Sequence, residues 1–261
     1  MSVSSEPAGG TFDIGRVIQR TFGVIGRNFV PFLILALLFK AVPTVVIGAW
    51  SAIERSSALV ANNPFGAFTG QNVLIGLVST IVSIISVFVL QAALLRGTIA
   101  DLNGKRASLG DMLSTGLRFF FPLLGLGLVM GVALAVGFLL LIVPGIMMAV
   151  AWCAAAPAVV AEKTGVFDSF TRSANLTRGH RWAIFGLFVI YAVIVISAIG
   201  SAFMFANLND IRTMLTISVV IQAVVGTLSA LIGGAGSAAL YYELRTIKEG
   251  AGADNLASVF D

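Results

Sequence analysis

Apolar residues in this chain fall into long continuous blocks, separated by short polar stretches that carry most of the charge. The blocks lie at about 29–50, 73–95, 119–142, 146–160, 182–206 and 214–242. Most reach the roughly 20 residues that a helix needs to cross a hydrocarbon core. They do not alternate over about 10 residues as barrel strands do. The pattern therefore predicts an all-α, polytopic membrane protein with six transmembrane helices arranged as three hairpins.

The apolar run from 119 to 161 is too long for one straight span. Val143-Pro144-Gly145 is the natural place for a turn, with a third span before it and a shorter fourth after it. Pro157 is expected to bend the fourth span, and Pro31 sits harmlessly in the first turn of the first. Small residues at Gly127, Gly131, Ala133 and Gly137, and again at Gly226, Gly233, Gly234 and Gly236, offer close-packing faces. The second span carries Ser79, Thr80, Ser83 and Ser86 and is expected to close at Arg96.

A different period precedes the first, third and fifth spans. Ile14, Val17, Ile18, Phe22 and Ile25 fall on one face of a helix covering 11–27, with Asp13, Arg16, Arg20 and Arg27 opposite and Thr11 as its cap. Such a helix lies in the interface with its Arg side toward headgroups; the plainer alternative is a polar extension of the first span. A second short helix is expected at 108–116, with Asp111 near its start. A third covers 166–177, with Phe167, Phe170 and Ala174 on one face. Each runs from an Asp (13, 111, 168) to an Arg followed by an aromatic lead-in, as a parallel threefold repeat would. Residues 1–10 read as a disordered tail, 11–246 as one membrane domain, and 247–261 as a second polar tail, the chain turning polar from Glu243.

Composition agrees with the pattern. Hydrophobic residues make up 58% and charged residues 11%, far from the roughly 25% charged of soluble domains. Thirteen of the 16 Lys and Arg fall on the side that bears both termini. Arg55 and Arg212 fall opposite, and Lys40 lies inside the first span. The positive-inside rule then puts both termini, and the amphipathic helices with them, in the cytoplasm.

The residues offer little for catalysis. The chain has one His, one Cys and no nucleophile, phosphate-loop or dinucleotide motif, so neither an enzyme, a metal site nor a cofactor is expected. Cys153 reads as a small buried hydrophobe. The better lead is the basic ring: Arg16, Arg20, Arg27, Arg172, Arg178, His180 and Arg181, with Trp182 as interfacial anchor. It serves orientation and also suits anionic lipid headgroups, whereas nucleic acid binding wants such charge on a soluble module. Glu162 and Arg172 flank a short turn and are expected to pair. Lys40, mid-span, is expected to snorkel outward as its helix bends at Pro43; a polar transport path is the alternative.

The run Val143-Pro144-Gly145, Trp152, Pro157-Ala158-Val159-Val160, Glu162, Gly165, Ser169, Arg172-Ser173, Leu176-Thr177, Gly179, Arg181-Trp182 resembles the membrane domain of some bacterial glycerophosphoryl diester phosphodiesterases and of the YciC-like inner-membrane protein family. The resemblance implies a bacterial cytoplasmic-membrane protein. The phosphodiesterase catalytic domain needs about 200 further residues, so the resemblance does not carry that activity. The expectation is a non-catalytic protein that binds membrane lipid or a membrane protein partner in envelope homeostasis; the alternative is a transporter or exporter of a small amphiphile. Transport requires polar residues converging on one cavity at mid-depth, and a structural module requires a tightly packed core.

Overall fold

The computed structural model describes residues 12–60, 70–204 and 211–250, and among these the chain is helical throughout, with no strands. Six segments among the described residues are long and apolar enough to span a membrane: Phe29–Ile53, Asn72–Leu102, Phe120–Leu140, Ile142–Glu162, Arg181–Gly200 and Thr216–Glu249. The protein is an all-α polytopic membrane protein. The expected tails at 1–10 and 251–261, Thr11, and the loop residues Asn62-Asn63-Pro64 lie outside the described residues.

Proline sets the breaks. The pyrrolidine ring clashes with the carbonyl four residues earlier, so a helix is disrupted upstream of a proline, not at it. Helix α1 (Ile14–Arg27) ends four residues before Pro31, the third residue of α2 (Phe29–Ala36). Four residues before Pro43 is Phe39, inside a π-helical turn, Leu37–Ala41, that joins α2 to α3 (Val42–Val60). After α4 (Gly70–Leu102), α5 (Leu109–Arg118) ends four residues before Pro122, the third residue of α6 (Phe120–Leu140).

The same rule corrects the expected hairpin turn. Leu141 is the extended residue, at φ −161° and ψ 141°. Val143, Pro144 and Gly145 lie in the first turn of α7 (Ile142–Ala151). The fourth span is also interrupted and not merely bent. It stops at Trp152–Cys153–Ala154 and resumes as α8 (Ala155–Glu162), with Pro157 in its first turn.

That interruption is stapled by α9 (Val166–Thr177). The Ala154 N–H donates to Ser173 Oγ at 3.1 Å, and Ser173 Oγ donates to the Ala151 carbonyl at 2.8 Å. Thr177 Oγ1 donates to the same carbonyl at 3.3 Å. Both hydroxyl residues are fully buried. The buried face of α9 is therefore Ser169, Phe170, Ser173, Leu176 and Thr177, while Phe167 is 73% exposed. Phe167, Phe170 and Ala174 share a face of this helix as expected, but the packed face is turned away from Phe167, because freed backbone groups in an apolar interior need hydroxyl partners more than a wider apolar stripe. Ser173→Ala is expected to cost about 1 kcal/mol. Asn175→Ala, on the exposed side of the same helix, should stay within about 0.5 kcal/mol. Unfolding in mixed micelles measures both.

The two longest helices organise the rest. At 1.5 Å per residue, the 33 residues of α4 and the 39 of α11 (Ile211–Glu249) extend about 50 and 58 Å, well beyond a hydrocarbon core of about 30 Å. They pack on each other, and their ends nearest the termini project as a platform on which α1, α5 and α9 dock. Arg96 therefore does not close the second span, because Thr98, Ile99 and Ala100 continue it fully buried. The expected tail from Glu243 is also corrected. Residues 243–249 continue α11, and Glu243 is 2% exposed.

Acidic residues start all three amphipathic helices. Asp13, and not Thr11, caps α1 by accepting from Gly15 N at 2.7 Å. Ser108 and Asp111 form a capping box on α5, and Asp168 lies in the first turn of α9. On α1 the packed residues are Val17, Thr21 and Val24, and Phe22 points away from the protein. The fifth span, α10 (Arg181–Met204), is the most peripheral, with 6% of its membrane-spanning window buried.

Candidate functional site

Two polar zones stand out against the apolar bundle. One is a cavity of about 550 Å³ inside the membrane-spanning region. Lys40, Thr44, Gly48 and Ser51 line it from the first span, at spacings of four, four and three residues. Ser218, Gln222, Gly226 and Ser229 line it from α11, at the same spacings. Two helical stripes of matched period thus face each other, antiparallel, over about 16 Å. Ser83 of α4, Val195 and Ile199 of α10, and apolar residues of the first span and α11 such as Ile47 and Val225 also line it.

Lys40 stands at the end of the cavity nearer the termini. It is close to the midpoint of the 25-residue span Phe29–Ile53. Its aliphatic stem lies over Gly226, where an added Cβ would sit 3.0 Å from Lys40 Cε. Glycine there lets the lysine lie across α11. Lys40 thus faces the protein interior, and its expected outward snorkelling is corrected: the π turn that Pro43 imposes rotates it off a regular helical register. Among the described residues no carboxylate lies within ion-pair distance of its ammonium.

From Lys40 toward the termini the same helices pack an apolar cluster that includes Phe32, Leu35, Leu90, Leu94 and Leu231. Tyr191 of α10 donates to the Ser229 carbonyl at 3.1 Å, tying α10 to α11 beside the cavity.

The second zone is the polar cap formed by the amphipathic helices. Arg172 donates from Nε to both Glu162 oxygens at 2.9 Å and also pairs with Glu249. Tyr241, 1% exposed, donates its hydroxyl to Glu162, and Arg245 donates to Glu249 at 2.8 Å. The expected Glu162–Arg172 pair is present, as part of a five-residue network joining α8, α9 and α11. Burial acts to lower the Arg172 pKa, but its hydrogen bonds to Glu162 and Glu249, with their charges, raise it above the ordinary value, and it stays charged.

On the other side of α11, Glu243 accepts from Arg16 Nε at 2.8 Å and from Arg20, whose guanidinium also lies over the Tyr242 ring. Arg27 and Asn28 both donate to Asp101 at the end of α4.

The sequence-predicted basic residues therefore divide. Arg16, Arg20, Arg27 and Arg172 are held by carboxylates of this chain. Arg178, His180, Arg181 and Trp182 gather at the start of α10, where Trp182 is 83% exposed. His180 packs on Phe12 with ring centroids 5.7 Å apart. Burial, and after it the nearby Lys248, holds its imidazole below the usual value. Pro144, Gly145 and Pro157 shape the broken fourth span, and Gly145 lets Phe138 pack where a Cβ would be 2.6 Å from that ring. Among the described residues no three His, Cys, Asp or Glu side chains converge as metal ligands would.

Sequence reasoning missed Thr44, Ser218, Gln222 and Ser229, although their helical spacing was a usable signal. It missed Glu243, Tyr241 and Glu249 because a polar helix end looks the same whether buried or free. No family model matches the chain, and no curated protein or solved structure matches it.

Proposed function

We propose that this is a non-catalytic protein of the bacterial cytoplasmic membrane, with both termini in the cytoplasm, that binds a small anionic amphiphile at Lys40 and carries it across the bilayer. The observation that carries the reading is the inward-facing Lys40, at the terminus-facing end of a cavity lined in part by hydroxyls and an amide, with no carboxylate partner among the described residues. A charged side chain at mid-bilayer costs about 2.5–3.5 kcal/mol even on the mildest scale, so a lysine kept there favours water or an anion beside it. A purely structural module would fill this volume with side chains. The orientation rests on the confinement of thirteen cations to the terminus-bearing side, and the bacterial assignment on the family resemblance of 143–182.

The amphiphile combines the lipid binding suggested by the basic residues with the transport suggested by the cavity. Lys40→Met keeps the stem that packs on Gly226 and removes the charge. It is expected to weaken binding of dodecyl phosphate to the purified protein about tenfold, the value of one charge-assisted hydrogen bond, while Lys163→Met leaves it unchanged. Native mass spectrometry reads the bound fraction. Equal binding by wild type and Lys40→Met would refute the assignment.

A further inference from the structure

The wall of the cavity is not continuous. Helix α10 contributes Val195 and Ile199, one turn apart, and α3 contributes Ile47 and Ser51, one turn apart. Yet among the described residues α10 packs on α11, α7 and α1, and makes no more than glancing contact with α3. α11 is the one helix among them that packs substantially on both. Next to the lining residues, Trp50 on α3 and Ile196 on α10 are large, apolar and exposed.

The two ends of this compartment want different chemistry. Its inner end offers a cation and hydrogen-bonding groups. Its side offers an apolar slot at the depth of the acyl chains. A free water-soluble anion would satisfy the first and leave the slot unfilled. A headgroup on an alkyl tail satisfies both.

We propose that the gap between α3 and α10 is a lateral portal, and that the ligand is a lipid-like anion that enters from the bilayer, placing its headgroup at Lys40 and leaving its tail between the two helices. This rests on the binding reading above and specifies its substrate class and route. Gly226 is part of the same device, since a side chain there would push Lys40 away from the seat of the headgroup. Tyr191, bonded to the Ser229 carbonyl, hinges α10 on α11 at one edge and leaves the edge toward α3 free.

Photolabelling tests the route. The full chain in zwitterionic nanodiscs is exposed to an alkyl phosphate carrying a diazirine in mid-chain, irradiated, and mapped by peptide mass spectrometry. The expected labels fall around Ile47–Trp50 and Ile194–Ile199. They should be lost about tenfold with Lys40→Met, competed by dodecyl phosphate, and not competed by dodecyltrimethylammonium. Each methylene buried in the slot adds roughly fourfold in affinity, so dodecyl phosphate should compete at least about a hundredfold better than inorganic phosphate.

Labels that depend on Lys40 but lie away from α10, or inorganic phosphate competing as well as dodecyl phosphate, would overturn the portal and leave the anion site standing. Labels that ignore both Lys40→Met and headgroup charge would overturn the two together.

Discussion

Glu243→Gln is expected to release the amphipathic helix α1 from the bundle at a cost of about 2–4 kcal/mol. The carboxylate is 2% exposed and holds two guanidinium groups, with Arg16 Nη2 at 2.8 Å. Removing one member of a buried ion pair costs about 3–5 kcal/mol, because the partner charge is left without compensation. Arg16 and Arg20 are 46% and 30% exposed, so water recovers part of that loss. Unfolding in mixed micelles should show the drop, and limited proteolysis should cut within 14–27 sooner than in the parent. A change under about 0.5 kcal/mol with the same cleavage pattern would mean that Val17, Thr21 and Val24 hold α1 without the pairs.

The second large effect belongs to Glu162 and Arg172. Each alanine substitution is expected to cost about 2 kcal/mol. The double variant should cost about 2.5, not 4, because the charges left behind by either change belong to one network. Tyr241 and Glu249 share those partners, so Glu162→Ala strands a buried hydroxyl as well as a guanidinium. A double-mutant cycle that adds within about 0.5 kcal/mol would show the pair to be energetically idle.

These predictions concern the cap, and its role is to hold the ends of α4 and α11 in place while the spans keep a cavity between them. α11 is central to both zones. Its terminal turns carry Tyr241, Glu243 and Glu249, and its middle carries Ser218, Gln222, Gly226 and Ser229. One helix thus belongs to both zones.

The apolar blocks were readable as spans because burial in lipid is a property of composition alone. The amphipathic helices were readable for a related reason, since a 3.6-residue period and an N-terminal Asp are local. Breaks were misplaced where proline was treated as the site of the disruption, although its steric effect falls on the carbonyl four residues earlier, at Leu140 or Cys153. Direction along a helix was the other failure. Lys40 has both an outward and an inward reading in the sequence, and only the π turn together with the glycine at 226 decides between them. Glu243 shows the same limit, because its burial depends on Arg16 and Arg20, more than 220 residues away.

The central claim is that Lys40 looks into a polar compartment and not into lipid. Replacing it by cysteine, in a Cys153→Ala background, allows a direct reading with a small, membrane-impermeant, positively charged thiol reagent. The account predicts modification of Lys40→Cys that dodecyl phosphate slows, and none at Val46→Cys, whose parent residue is 63% exposed on the lipid-facing side of the same helix. Equal rates at the two positions, or no reaction at Lys40→Cys, would contradict it.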